Sequence, residues 1–196
     1  MAEVPSTLIL PLGSTAPELE LLDPSGNLFT LDDVRGPNGL LVMFVCNHCP
    51  FVIHLADDLA AFANECEAAG VGVAAVNSND VDHYPADAPD KMAIFANQHG
   101  WSFPYLHDAE QSAAKAYSAA CTPDFYLFDG ALSLTYCGQF DNSRPRNQEP
   151  ITGSDLRAAL EALISGQPPL PDQRPSTGCN IKWKPGQEPA HFNQLG

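Results

Sequence analysis

Positive charge is scarce in this chain. Nine Lys and Arg stand against 24 Asp and Glu, for a formal net charge of −15. Such a surface repels phosphate backbones and anionic lipid headgroups, which argues against nucleic acid and membrane as partners. Solubility is the simplest account of the charge. Long apolar runs are missing too, and nothing approaches the ~20 residues that a membrane helix needs. The start, Met1-Ala2-Glu3-Val4-Pro5, has no basic residue ahead of the short apolar run Leu8-Ile9-Leu10. A secretory signal requires a basic start and a longer apolar core, so the chain is expected to be unprocessed and cytoplasmic.

Internal repeats, low-complexity tracts and a second Cys-x-x-Cys motif are also missing. A structural zinc site usually draws four ligands from two such motifs or a Cys/His set, so its absence argues against zinc. A c-type haem needs His directly after the second cysteine, and Pro50 stands there. Neither a metal nor a cofactor is expected.

What is present is one domain's worth of sequence, 196 residues with an ordinary hydrophobic share of 44%, and six cysteines: Cys46, Cys49, Cys66, Cys121, Cys137 and Cys179. Only Cys46 and Cys49 are close in sequence. In a cytosolic chain that spacing points to redox chemistry or a metal before a structural bridge.

The patterning predicts an α/β fold. Leu19 and Leu21, the turn residues Asp23-Pro24-Ser25-Gly26 and Leu28-Phe29-Thr30 read as an N-terminal hairpin. The continuous apolar run 40–45 suits a central strand buried on both faces. Phe51, Leu55, Leu59, Phe62 and Cys66 form one helical stripe, with Pro50 at its first turn and Gly70 as its stop. A second buried strand is expected over 71–76, a helix over 89–99, a short strand over 103–106 and a small-residue helix over 109–119. Asp129-Gly130 separates two further strands, 124–128 and 131–136, as a hairpin turn. Ser154 caps a last helix closed by Gly166. The order implies parallel strands with right-handed crossovers and an antiparallel hairpin at one side, a central mixed sheet flanked by helices. The domain is expected to span 1–166. Four prolines between 168 and 175 mark 167–196 as an extended tail lying on its surface.

The chemistry centres on Val45-Cys46-Asn47-His48-Cys49-Pro50, where the first buried strand turns into the first long helix. A helix N-terminus has unpaired N–H groups and partial positive charge, which favour a thiolate. Cys46 is expected to be the more exposed thiol and to attack a substrate disulfide. Cys49, one turn into the helix, then attacks the mixed disulfide and releases product. A His48 imidazolium would favour the thiolate further; otherwise it is a solvated side chain.

The strand-CxxC-Pro-helix unit, with Thr122-Pro123 just before a later strand, resembles the thioredoxin superfamily. The segments CNHCPFV at 46–52, NSND at 77–80, FPYL at 103–106, CTPDFYLFD at 121–129, GQFDNSRP at 138–145 and GCNIKWKPG at 178–186 resemble a peroxiredoxin-like subgroup related to the alkyl hydroperoxide reductase and thiol-specific antioxidant proteins. The resemblance implies a thioredoxin-like fold with Pro123 in cis. It also implies a redox pair of Cys46 and Cys49, and a substrate surface of Asn47, His48, Thr122 and Pro123. Peroxiredoxins carry P-x-x-x-T-x-x-C; aligned on Cys49, the Pro and Thr positions are Val42 and Cys46. Thioredoxin's buried Asp, six residues before its first cysteine, is Leu40 here, so the proton acceptor for the second thiol is unidentified.

Cys121, beside Thr122-Pro123, is expected near the pair, either as a third redox thiol or as a packed side chain. Cys66 reads as core and Cys137 as structural. Cys179 sits in the tail, which has no assignable contact. Arg144 and Arg146 are anion-binding candidates, with a solvated loop as the plainer reading. The function expected is a thiol-disulfide oxidoreductase acting on protein or small-molecule thiols and disulfides. The alternatives are a thiol peroxidase and a non-enzymatic protein that holds copper through the two thiols and His48.

Overall fold

A computed structural model describes residues 3–190. Its centre is β4 (Gly39–Phe44), in which every residue is buried. Leu41 and Met43 pack into one core while Leu40, Val42 and Phe44 pack into the other. A period-two strand with apolar side chains on both faces has to lie inside a sheet covered on both sides. It runs parallel to β5 (Val71–Asn77) and antiparallel to β8 (Asp124–Asp129).

The remaining strands complete a mixed seven-stranded sheet. They are β2 (Glu20–Leu22) and β3 (Leu28–Thr30), which form the N-terminal hairpin, β6 (Tyr105–His107) and β9 (Leu134–Gly138). The order is β3-β2-β6-β5-β4-β8-β9. The helices are α1 (Leu31–Val34), α2 (Pro50–Ala68), α3 (Pro89–Gln98), α4 (Ser112–Tyr117) and α5 (Ser154–Ile164). Helix α2 buries Val52, Leu55, Leu59, Phe62 and Cys66 on one core, along the stripe expected from sequence. Burying each such large side chain contributes roughly 1.5–3 kcal/mol of transfer free energy.

Three local expectations are corrected. The β8–β9 connection is longer than a two-residue turn: Leu132 has φ 60°, and the Asp129 carboxylate accepts from the amides of Ala131 and Ser133. An Asp that satisfies two loop amides stabilises the wider loop. The α5 N-cap is Gly153, not Ser154, because the buried Asp141 carboxylate takes the Thr152 and Gly153 amides. The tail is not merely laid on the surface. β10 (Thr177–Asn180) pairs antiparallel with β1 (Glu3–Pro5) on one side and β7 (Cys121–Thr122) on the other, making a second, three-stranded sheet. Ile181 and Trp183 beyond it are buried core residues. Among the described residues no helix is long and apolar enough to cross a membrane.

Candidate active site

The Thr122–Pro123 bond is cis. It sits where β7 hands over to β8, and the turn 46–49 packs against it. Thr122 meets both thiols of the motif: its Oγ1 lies 3.4 Å from Cys46 Sγ, and its carbonyl oxygen accepts from Cys49 Sγ at 3.1 Å. Cys46 and Cys49 are therefore brought together with Thr122 and Pro123.

The expected exposure of Cys46 is corrected, since Cys46 and Cys49 are 1% and 0% exposed. The helix boundary is corrected as well. Cys49 is the N-cap of α2 and Pro50 its first residue, so Cys46 precedes the helix. Two features hold this geometry. Pro50 needs no amide partner at the first helical position. The amides of Asn47 and His48, which an earlier helix start would leave unpaired, donate to Asp87 Oδ1 at 2.8 and 3.3 Å.

Of the two sulfurs, Cys49 is the one whose neighbours favour ionisation. The Cys179 thiol is the leading donor to an ionised Cys49, and the Cys46 thiol follows. Together they hold Cys49 far below the ordinary thiol range despite its burial. The Val52 amide adds a smaller contribution, short of a full capping hydrogen bond. Burial pushes the Cys46 thiol well up, and the neighbouring Cys49 and Asp87 charges add to it. A negative charge at Cys49 is also favoured by the helix dipole.

Asn47 and His48 are half-buried and already engaged. Asn47 Nδ2 donates to Ala86 O at 2.9 Å, and its Oδ1 accepts from Tyr105 Oη at 2.9 Å. His48 Nδ1 lies 2.6 Å from Asp87 Oδ2, and its ring stacks on Tyr84 at 5.8 Å between centroids. His48 Nε2 is buried and has no protein partner. Asp87 itself is fully buried and is held further by Asn79 Nδ2 at 2.8 Å. One ligand atom each of Cys46, His48 and Asp87 lie within 4.8 Å of one another, close enough to hold a metal ion.

A match to the model of the AhpC/TSA family covers residues 12–137, most of this chain. The chain belongs to the AhpC/TSA family. This AhpC/TSA-family chain is also similar to solved structures. One from Geobacillus kaustophilus, described as an uncharacterized conserved protein, is 49% identical over 95% of this chain and 98% of its own, with a TM-score of 0.91. A hypothetical protein of Sinorhizobium meliloti 1021 is 46% identical over 93% and 100%, with a TM-score of 0.90. The thioredoxin domain of a thiol-disulfide oxidoreductase from Bacteroides vulgatus is 18% identical over 79% and 99%, with a TM-score of 0.61, a likeness of fold. The AhpC/TSA-family chain thus has the thioredoxin-like fold expected from its motifs.

Sequence reading missed Asp87 and Tyr84, which lie at the end and the N-cap of a short 3-10 helix, Pro85–Asp87, with no motif spacing to the cysteines. The NSND segment was the available signal. Asn77 Nδ2 donates to the Asp87 carbonyl at 2.9 Å, Asn79 holds the carboxylate, and Asn79 Oδ1 accepts from the Lys182 amide at 2.8 Å. Cys121 does not join the pair: its thiol points at Pro123 O, 3.7 Å away, and after burial the charge it feels most is that of Asp124. The tail thiol Cys179 takes the place expected of it. Adjacent strand residues face opposite ways, and Thr122, not Cys121, faces the thiols. Arg146 is exposed on the loop, in line with the plainer reading, but Arg144 is half-buried. Its guanidinium donates to Asp141 O and Ser143 O, both at 2.7 Å, and to Gln139 Oε1 at 2.5 Å.

Proposed function

We propose that this AhpC/TSA-family protein is a thiol-disulfide oxidoreductase that cycles Cys46 and Cys49 between dithiol and disulfide. The observation that carries the reading is the meeting of both thiols on Thr122, directly before cis-Pro123, with one of them at the N-terminus of α2.

In this reading the order of attack is the opposite of the one expected from the sequence. Cys49 is the thiol that ionises for attack, favoured by the helix terminus and neighbouring thiols, and it gives up its hydrogen bond to the Thr122 carbonyl as it does so. It opens a disulfide, and Cys46 then attacks the Cys49 sulfur to release the second thiol. Cys46 must lose its proton in that step, and His48 is placed to take it. The Asp87 carboxylate fixes the ring, which stands in for the proton acceptor that Leu40 leaves empty. The cycle uses thiols alone, acts on protein or small-molecule disulfides and suits a reducing compartment such as the cytoplasm.

Peroxide reduction fits less well, because Val42 and Cys46 stand at the positions of the peroxidase Pro and Thr. A soft-metal site is the second reading, carried by the Cys46, His48 and Asp87 grouping. Elemental analysis after anaerobic purification separates it, since stoichiometric copper or zinc would replace the redox reading. The principal test is turnover of insulin and of oxidised glutathione with dithiothreitol as donor. Catalysis is expected, and Cys46→Ser and Cys49→Ser are each expected to abolish it. Wild-type rates at the uncatalysed background with both substrates would reject the proposal.

A further inference from the structure

The tail supplies more than core residues. β10 lies on β7 in antiparallel register, with Cys179 opposite Thr122, the residue that holds the redox pair. The approach is close enough to require glycine, because a Cβ on Gly178 would stand 2.0 Å from Thr122 O and 3.3 Å from Pro123 Cδ. Cys179 enters the same apolar cluster as Cys46 and Cys49.

On its other side Cys179 lines an open cavity of about 480 Å³, together with Phe51, Arg144, Arg146 and Glu3. Neither Cys46 nor Cys49 lines it. Its volume is that of a small-ligand site. β10 already occupies the free edge of β7, so an extended protein strand cannot add there without displacing the tail. Two of the nine basic residues face this cavity in a chain of net charge −15.

Building on the proposed Cys46/Cys49 cycle, we infer that Cys179 is a third redox thiol, which receives a small carboxylate-bearing disulfide in this cavity and relays the disulfide bond to Cys49. Cys179 attacks one substrate sulfur; a Cys179–substrate bond forms, the substrate S–S bond breaks, and the first substrate thiol leaves with the Cys179 proton. Cys49, ionised, then attacks the Cys179 sulfur. The Cys49–Cys179 bond forms, and the second substrate sulfur leaves as a thiolate. Finally Cys46 attacks the Cys49 sulfur, its proton passes by way of His48 to the departing Cys179 sulfur, and Cys179 is again the free thiol. The substrate disulfide gains two electrons, the Cys46–Cys49 pair loses two, and Cys179 ends unchanged.

The full-length Cys46→Ser protein stops this sequence before its last step. After reaction with one equivalent of oxidised glutathione, an acid quench, alkylation and peptide mass spectrometry are expected to find an intramolecular Cys49–Cys179 disulfide as the main product. A persistent Cys49–glutathione adduct with Cys179 alkylated would overturn the relay. In turnover, Cys179→Ser and Gly178→Ala are each expected to slow reduction of oxidised glutathione at least tenfold, and to slow it more than reduction of the neutral bis(2-hydroxyethyl) disulfide. Diamide should still form the Cys46–Cys49 bridge in both variants, which shows that the site is folded. Wild-type rates in both variants would sink the relay and leave the Cys46/Cys49 reading standing. Absence of any wild-type turnover would instead reject that underlying reading.

Discussion

Helix α2 carries two cysteines on the same buried face, Cys49 at its N-cap and Cys66 near its other end, and both are 0% exposed. Their thiols shift in opposite directions. Burial pushes Cys66 up to about 12, with the Glu67 charge adding to it. Cys49 is driven far down by the Cys179 and Cys46 thiols, which outweigh the same desolvation. Burial alone therefore makes an inert thiol. What makes a reactive one is the set of donors around it and its position at the positive end of the helix.

The sharpest way to break the comparison is exchange of function. Cys49→Ser is expected to lower disulfide turnover by about 10³-fold or more, since the nucleophile is lost. It should also remove the single thiolate seen by ultraviolet absorbance at neutral pH. Cys66→Ala should leave both signals in place. Thiolate absorbance that survives Cys49→Ser would show that the charge resides elsewhere.

Asp124 extends the contrast to a carboxyl group. It is fully buried beside Cys121 and Cys137, and desolvation raises it from 3.8 to about 6 although Ser6 and Tyr126 donate to it. Its folded value lies above its unfolded value, so the unfolded chain gives up this proton first as pH rises. Stability is therefore lost across the window from 3.8 to about 6, by about 3 kcal/mol, and stays level beyond it. Chemical denaturation of Asp124→Asn against wild type should show a stability difference that grows by that amount across the window. A constant difference would mean that the carboxyl titrates normally.

His48→Ala and Asp87→Asn test the second half of the cycle. Each should slow release of the mixed disulfide by about 10²-fold, the lower end for a lost general base, while leaving the first attack by Cys49 intact. The effect of His48→Ala should shrink as pH rises toward the Cys46 thiol's own ionisation. Equal slowing of both steps would point to a structural defect. The smallest effect is the cost of Cys66→Ala in stability, about 1–2 kcal/mol from one lost buried sulfur, read from denaturant melts.

Much of the fold was legible because periodicity reports burial directly. The all-apolar run of β4 and the α2 stripe could only belong to a sheet covered on both faces and a helix packed on it. The cysteine pair was legible from spacing, and the strand-to-helix turn from Pro50. The residue at which the helix begins was not. The Asp87 carboxylate, 38 residues beyond Cys49 in the chain, captures two amides of the turn and leaves Cys49 as the N-cap. Asp87 belongs to no motif that local patterning can register.

The tail shows the same division. Its prolines announced an extended chain. Which sheet edge that chain would cover was not written in them. By itself the sequence determined an α/β core and a cysteine pair beside a helix start, because both rest on interactions between near neighbours; the thioredoxin-like fold followed from the resemblance. Only the tertiary structure decided that the neighbours of Cys49 favour its ionisation, that Asp87 holds His48, and that Gly178 lets β10 close on Thr122. Each of these joins segments distant in sequence, and a pKa or a close contact is set by whatever the folded chain places beside the atom.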